Sequence, residues 1–288
     1  MIKVRLIFGN RILYILLCLF LLSGPCLGAG LSFSGQQIQG SLIQGRAVPG
    51  ARVEVDGESV RVADNGLFLV GFGRDHPPQT RIKVTYPDGH TEQQTLAVAG
   101  REYRIQRIDG LPKRKVTPDK KDYERIRKDI AAAKRARRRD DPREDFLSGW
   151  AWPVVGPISG VYGSQRILNG KPRRPHFGVD IAVPVGTSVR APADGVVTLA
   201  HPDMFYSGVT VIIDHGHHLT SSFLHLNKAL VAEGDRVKRG DIIAEVGKTG
   251  RVTGAHLDWR MNLRKARIDP QLLVGPMPKR NDARKKPE

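Results

Sequence analysis

The histidines of this chain are unevenly placed. Seven of the nine fall between positions 176 and 256, in short segments that also carry aspartate. "RPHFGVDIAVP" sets His176 four residues before Asp180, across a glycine. "HGHHLTSSFLHL" carries His215, His217, His218 and His225, and "TGAHLDWRMN" carries His256 and Asp258 two apart. Imidazole and carboxylate are the ligands that a borderline divalent metal such as zinc takes, at about 2.0–2.2 Å. In a strand, residues i and i+2 share a face. His256 and Asp258 are therefore expected to project one way, with Leu257 and Trp259 turned into packing. A single His-x3-Asp is weak evidence. Followed by a second histidine in a strand and by a His-x-Asp strand, it describes a metal centre.

The elements that must position these residues are strands. Between 150 and 275, "GVVTLAH", "GVTVIIDHG", "SSFLHL", "DIIAEVG" and "HLDWRMN" are apolar runs separated by Gly and Pro. No long amphipathic helix competes with them, so this domain is expected to be all-β. Residues 31–110 carry short apolar runs broken by "PG", "DG" and "NG" turns at intervals of about 8–12 residues, which predicts a small β-sandwich. That stretch loosely resembles the carboxypeptidase-regulatory-like sandwich modules, which implies no chemistry. Residues 111–149 are a charge run. Thr117-Pro118 starts a helix there, Tyr123, Ile126 and Ile130 give it a thin apolar stripe, and Pro142 ends it. It is expected to be a surface helix acting as a basic linker, with "KRARRR" facing solvent or an anionic membrane surface. Residues 276–288 form a basic tail.

The formal charge of +17 calls for an anionic surrounding, and the N-terminus narrows the choice. Lys3, Arg5 and Arg11 precede an apolar run at 12–22, shorter than the roughly 20 residues of a membrane span. Small residues follow. Residues 1–29 thus have the pattern of a signal peptide, placing the chain outside the cytoplasm, in a bacterial periplasm. An uncleaved segment would instead associate the chain with the membrane. Pro25 ahead of Cys26 argues against a lipoprotein. Both cysteines, Cys18 and Cys26, lie in this segment, so a mature chain has no disulfide and no cysteine metal site. Export makes nucleic acid an unsuitable partner and cell wall or anionic lipid a suitable one.

Residues 155–273 resemble the lysostaphin-type (LytM-type) zinc metallopeptidases, on an H-x-G-x-D segment (176–180), a strand ending in His225-Leu226, and a last strand His256-Leu257-Asp258. The spacers "APADGVVTLA" and "VAEGDRVKRGDIIAEVGKTGRVTGAH" follow the family pattern. The resemblance implies a small antiparallel, barrel-like sheet with a groove. It implies one zinc held by His176, Asp180 and Asp258, catalytic roles for His225 and His256, and a substrate among the stem or cross-link peptides of peptidoglycan. It does not say which histidine is the base, which bond is cut, or the oligomeric state. The departure is Asp258, where the family usually has histidine. With two carboxylates a zinc site is formally neutral and its Lewis acidity weaker. The alternative function is therefore a degenerate LytM-type module that binds wall or activates a peptidoglycan amidase.

The other candidates read as structural. His215, His217 and His218 fall in a hairpin loop, and His201 in a loop. His76 and His90 are expected to be solvated. Arg166, Arg173 and Arg174 belong to a loop beside the groove. Gly247-Lys248-Thr249 is not a phosphate loop, because the preceding glycine, Gly240, lies at the wrong spacing.

Overall fold

The computed structural model describes residues 30–278, and residues 31–278 belong to one compact unit. The signal segment expected at 1–29 and the tail beyond 278 lie outside the described residues. Among the described residues, no helix is long and apolar enough to cross a membrane. The fold is all-β with a helical linker.

The N-terminal part is two facing sheets. One contains Ser32–Ser34, Leu42–Arg46 and Leu67–Gly71; the other contains Glu58–Val60, Arg52–Val55, Gln79–Thr85 and Thr91–Ala97. Alternate residues of these strands point inward. Ile43, Val53, Phe68, Val70, Ile82, Val84 and Leu96 are buried together between the sheets. The run Leu67-Phe68-Leu69-Val70 is apolar without alternation because both of its faces are covered. Phe68 and Val70 enter the sandwich core, while Leu67 and Leu69 pack into the core of the second part beside Leu263 and Ile268.

The second part is a ten-stranded sheet whose ladders are all antiparallel. Its central path runs Gly195–Met204, Gly208–Asp214, Leu219–Ala229, Leu257–Leu263, Val179–Ile181 and Ile158–Gly160. One face buries Val179, Ile181, Phe223, Leu257, Trp259 and Met261. Leu257 and Trp259 thus face packing, as the alternation requires. The opposite face carries Asp180, Asp258, Arg260 and Ser222, and it is partly covered by the linker.

That linker is not a free surface helix. Tyr123–Ala136 lies on the sheet, with Ala132, Ala133 and Ala136 against Leu199, Met204 and Ile212. Of the apolar stripe expected at Tyr123, Ile126 and Ile130, only Ile126 turns to the sheet; Tyr123 and Ile130 are about half exposed, at 52% and 50%. The sheet-facing row is Ile126, Asp129, Ala133 and Ala136, at helical spacings of 3 and 4. Alanine lets the helix backbone approach the sheet closely. Asp129 is held there because its Oδ2 accepts the Phe205 N–H at 2.6 Å. The helix ends at Ala136, six residues before Pro142.

Three further expectations change. "GSQRILNGKPRRP" is not a loop but a hairpin, Gln165–Leu168 with Lys171–Pro172, and Ile105–Ile108 adds to it in parallel. His201 lies in a strand, not in a loop. His76 is half-buried, with its ring 5.0 Å from that of Phe72, whereas His90 is exposed.

Candidate metal centre

Asp180 and Asp258 are direct cross-strand partners in the ladder between Val179–Ile181 and Leu257–Leu263. Their side chains therefore leave the same face. His176, in the loop before the first of these strands, folds back so that its Nε2 lies 3.1 Å from Asp180 Oδ1. One ligand atom from each of His176, Asp180 and Asp258 comes within 4.8 Å of the other two, and all three residues are buried. Such close approach needs room. A Cβ on Gly178 would stand 2.6 Å from Asp258 Oδ1 and from the Trp259 carbonyl, so the residue between His176 and Asp180 must be glycine.

His225 reaches this face by a distortion of its strand. By alternation, Leu224 opposite Asp258 points to the site and His225 should point into the core. Two residues, Leu224 and His225, are instead set against Thr210 between the paired positions Val211↔Phe223 and Val209↔Leu226, which makes a β-bulge. His225 takes a left-handed backbone, φ 63°, uncommon outside glycine. Its Nε2 then stands 3.9 Å from Asp258 Oδ2. His256, the residue before the strand Leu257–Leu263, has its Nε2 3.8 Å from Asp180 Oδ1. The two rings are 5.0 Å apart. Both imidazoles are set in one tautomer. Nδ1–H of His225 donates to the Thr249 carbonyl and Nδ1–H of His256 to the Gly254 carbonyl, each at 2.9 Å. Each Nε2 lone pair is left facing the carboxylates. Burial draws the His225 pKa down to about 4, so it is neutral at pH 7.

Two arginines complete the site, and their role was not evident from the motif. Arg260, two residues after Asp258 and on its face, donates Nε–H to Oδ1 at 2.9 Å and Nη2–H to Oδ2 at 2.5 Å. Arg166, from the hairpin, donates to Asp180 Oδ2. Burial alone would raise both carboxyls. His176 and Arg166 outweigh it at Asp180, holding its pKa at about 2 despite the neighbouring Asp258 charge. Arg260, then His176, hold Asp258 well below the carboxylate range. The two carboxylate charges are thus cancelled by two guanidinium charges.

The residues fit a bound divalent cation. His176 Nε2 and Asp180 Oδ1 are both buried and meet each other at 3.1 Å outside hydrogen-bond geometry, so a cation beside them would satisfy two polar atoms that are otherwise poorly met. Arg260 occupies one direction at each Asp258 oxygen, and a carboxylate has about four acceptor positions. The other histidines turn away. His215 is fully buried between the Asp194 carbonyl and the Ser221 hydroxyl. His217 packs on Phe146, and His218 lies near Asp140.

Residues 174–270 match the model of Peptidase family M23. Among curated proteins, the peptidoglycan DD-endopeptidase ShyA of Vibrio cholerae is 46% identical over 92 residues, which are 31% of this chain and 21% of ShyA. The DD-carboxypeptidase/endopeptidase Mpg of Neisseria meningitidis is 38% identical over 112 residues, 39% of this chain and 26% of Mpg. The matches thus span about a fifth to a quarter of those relatives. A Pseudomonas aeruginosa crystal structure described as a peptidase M23 is 30% identical, with a TM-score of 0.66. That likeness covers 84% of this chain and 96% of the other, so it extends well beyond residues 174–270.

Proposed function

The chain belongs to peptidase family M23, and on that footing we propose that it is an exported zinc metalloendopeptidase that hydrolyses peptide bonds of bacterial peptidoglycan. The observation that carries this reading is the convergence of one ligand atom from each of the buried residues His176, Asp180 and Asp258 within 4.8 Å, with the Nε2 atoms of His225 and His256 facing the two carboxylates at 3.9 and 3.8 Å. His176, Asp180 and Asp258 would hold the zinc. When bound, the ion supplies Lewis acidity at a peptide carbonyl and acidity to a water.

The chain's own groups do the rest. His225 and His256 each offer an Nε2 lone pair, so one can take the proton of the attacking water and the pair can return a proton to the departing amine. Their Nδ1–H bonds to backbone carbonyls stabilise the imidazolium formed on the way. Arg260 and Arg166 keep the two carboxylates ionised and fixed in orientation. The strong basic charge suits a polyanionic wall.

A second reading has its own support. Both oxygens of Asp258 already bond Arg260, as would suit a retired site in a module that binds wall or activates an amidase. The deciding experiment incubates the purified chain with peptidoglycan, with and without a zinc chelator. Peptide-cleaved fragments that vanish with chelation and return with zinc support the enzyme. No fragments, together with no zinc bound, leave only the second reading.

A further inference from the structure

Asp258, Arg260 and Asn262 alternate along one strand and so project from one face. Each has a polar neighbour across a ladder. Ser222 stands opposite Arg260, and Arg267 stands opposite Asn262. Arg137, the residue that closes the linker helix, reaches down to this row and donates Nη2–H to the Ser222 hydroxyl at 3.2 Å. Arg267 donates Nη1–H to Asn262 Oδ1 at 3.0 Å. Three guanidiniums therefore gather beside the candidate metal centre.

Their charges are not balanced. Arg260 has Asp258, but among the described residues neither Arg137 nor Arg267 is paired with a carboxylate; both rest on neutral groups. The Arg137 Nε is shut off from solvent and has no hydrogen-bond partner. Burial, then the charges of Arg267 and Arg260, draw Arg137 down to about 9, so it remains a cation at neutral pH. Crowding like charges and leaving a buried donor unmet is costly for a structural purpose alone. Guanidinium is the group that takes carboxylate with two parallel bonds. The cluster is reachable, since the Arg260 side chain is 24% exposed and Arg137 and Arg267 are half-buried.

We propose that Arg137, Arg260 and Arg267 form a carboxylate-binding subsite, which reads a free carboxylate that the peptide substrate carries within one or two residues of the scissile bond. The spacing follows from the strand. Arg260 is two residues from Asp258, about 7 Å along the chain, the length of two residues of an extended peptide. The linker helix is thereby part of the substrate site, because Arg137 comes from its end. This inference rests on the endopeptidase reading, whose failure is separately visible.

The test uses the full mature chain and two wall-derived peptides that differ only in a free or an amidated carboxyl beside the cleavable bond. The ratio of their kcat/KM values is the readout. The expected ratio is at least about tenfold in favour of the free carboxylate, carried mainly by KM, and it collapses towards one in Arg137→Gln and in Arg267→Gln. A ratio near one in the wild type overturns the subsite. So does a ratio that survives in both variants while both rates fall together, because a purely structural arginine would behave that way. If neither peptide is cleaved, the endopeptidase reading has failed, and calorimetric binding of the same two peptides decides the subsite. Preference for the free carboxylate, lost in the variants, supports it; equal or absent binding overturns it.

Discussion

Arg260 turns back along its own strand and closes two hydrogen bonds on Asp258, Nε to Oδ1 at 2.9 Å and Nη2 to Oδ2 at 2.5 Å. Asp258 is fully buried and Arg260 mostly so. The two residues therefore act as a unit: a carboxylate at the third ligand position together with the cation that neutralises it. Breaking such a pair by removing one partner typically costs about 3–5 kcal/mol, while replacing both costs little. Asp258→His alone restores the residue usual in the family but leaves Arg260 unpaired beside an imidazole. It is expected to lower the unfolding midpoint and to bind zinc poorly. Asp258→His with Arg260→Leu should recover most of both. Thermal unfolding and zinc content across the four-member cycle measure this coupling. Additive effects would show that the two positions are independent.

His225 and His256 are proposed to move protons, not to hold metal. His225→Ala and His256→Ala should keep about one zinc per chain and lose about 10²–10⁴ in kcat, the range of a positioned acid or base. His176→Ala and Asp180→Asn should lose the zinc itself. Metal analysis and single-turnover rates on the same preparations separate the two classes. Loss of zinc from His225→Ala would reassign that residue to the ligand set.

What the sequence showed of this site, and what it hid, divide along a physical line. The five motif residues were named by the likeness to the lysostaphin-type pattern, and the fold brings all five to one place. Leu257 and Trp259 were legible because strand alternation is a fixed geometry. The bulge at Leu224 and His225 was not, since no glycine marks it and the left-handed turn is imposed by the ladder around it. Arg260 was in view two residues from Asp258, on the same face of a strand already assigned. An i, i+2 opposite-charge pair was the available signal. Arg166 and Arg137 arrive from a distant hairpin and a helix end, which local periodicity cannot relate to one another. The linker failed for a different reason. Its packing row is one isoleucine, one aspartate and two alanines, so a search for large apolar residues found Ile126 but joined it to Tyr123 and Ile130, which face solvent.

That packing gives a pair of contrasting outcomes. Ala136 is 5% exposed against Leu199, Met204 and Ile212. Ala136→Leu must force the helix off the sheet or strain its rotamers, an overpacking cost of about 1–3 kcal/mol. Ile130→Lys sits on the open side and should stay within about 0.5 kcal/mol of the wild type. Urea unfolding at constant m compares them. Equal effects would mean that the helix does not rest on the sheet in solution. If it does, Ala136→Leu should also displace the adjoining Arg137 and weaken peptide binding.

His215 supplies a pH dependence whose sign can be derived. It is fully buried, with Nδ1–H donating to the Asp194 carbonyl at 2.6 Å, Nε2 accepting the Ser221 hydroxyl at 2.8 Å, and its ring edge-on to Trp150. The neutral tautomer is fully bonded and a second proton has no acceptor, so burial draws the folded pKa down to about 4. An unfolded histidine titrates near about 6.5. Above that value neither state carries the extra proton and the stabilisation is fully present. As pH falls below it, the unfolded chain takes up the proton first, and stability declines by up to about 1.4 kcal/mol per pH unit. The decline stops near pH 4, where the folded protein protonates too. His215→Asn removes the titration. Whatever stability that variant loses at neutral pH, it should lose less than the wild type on going from pH 7 to pH 4.5. Urea midpoints for both proteins across that range decide it, and parallel curves would be incompatible with a neutral, buried His215.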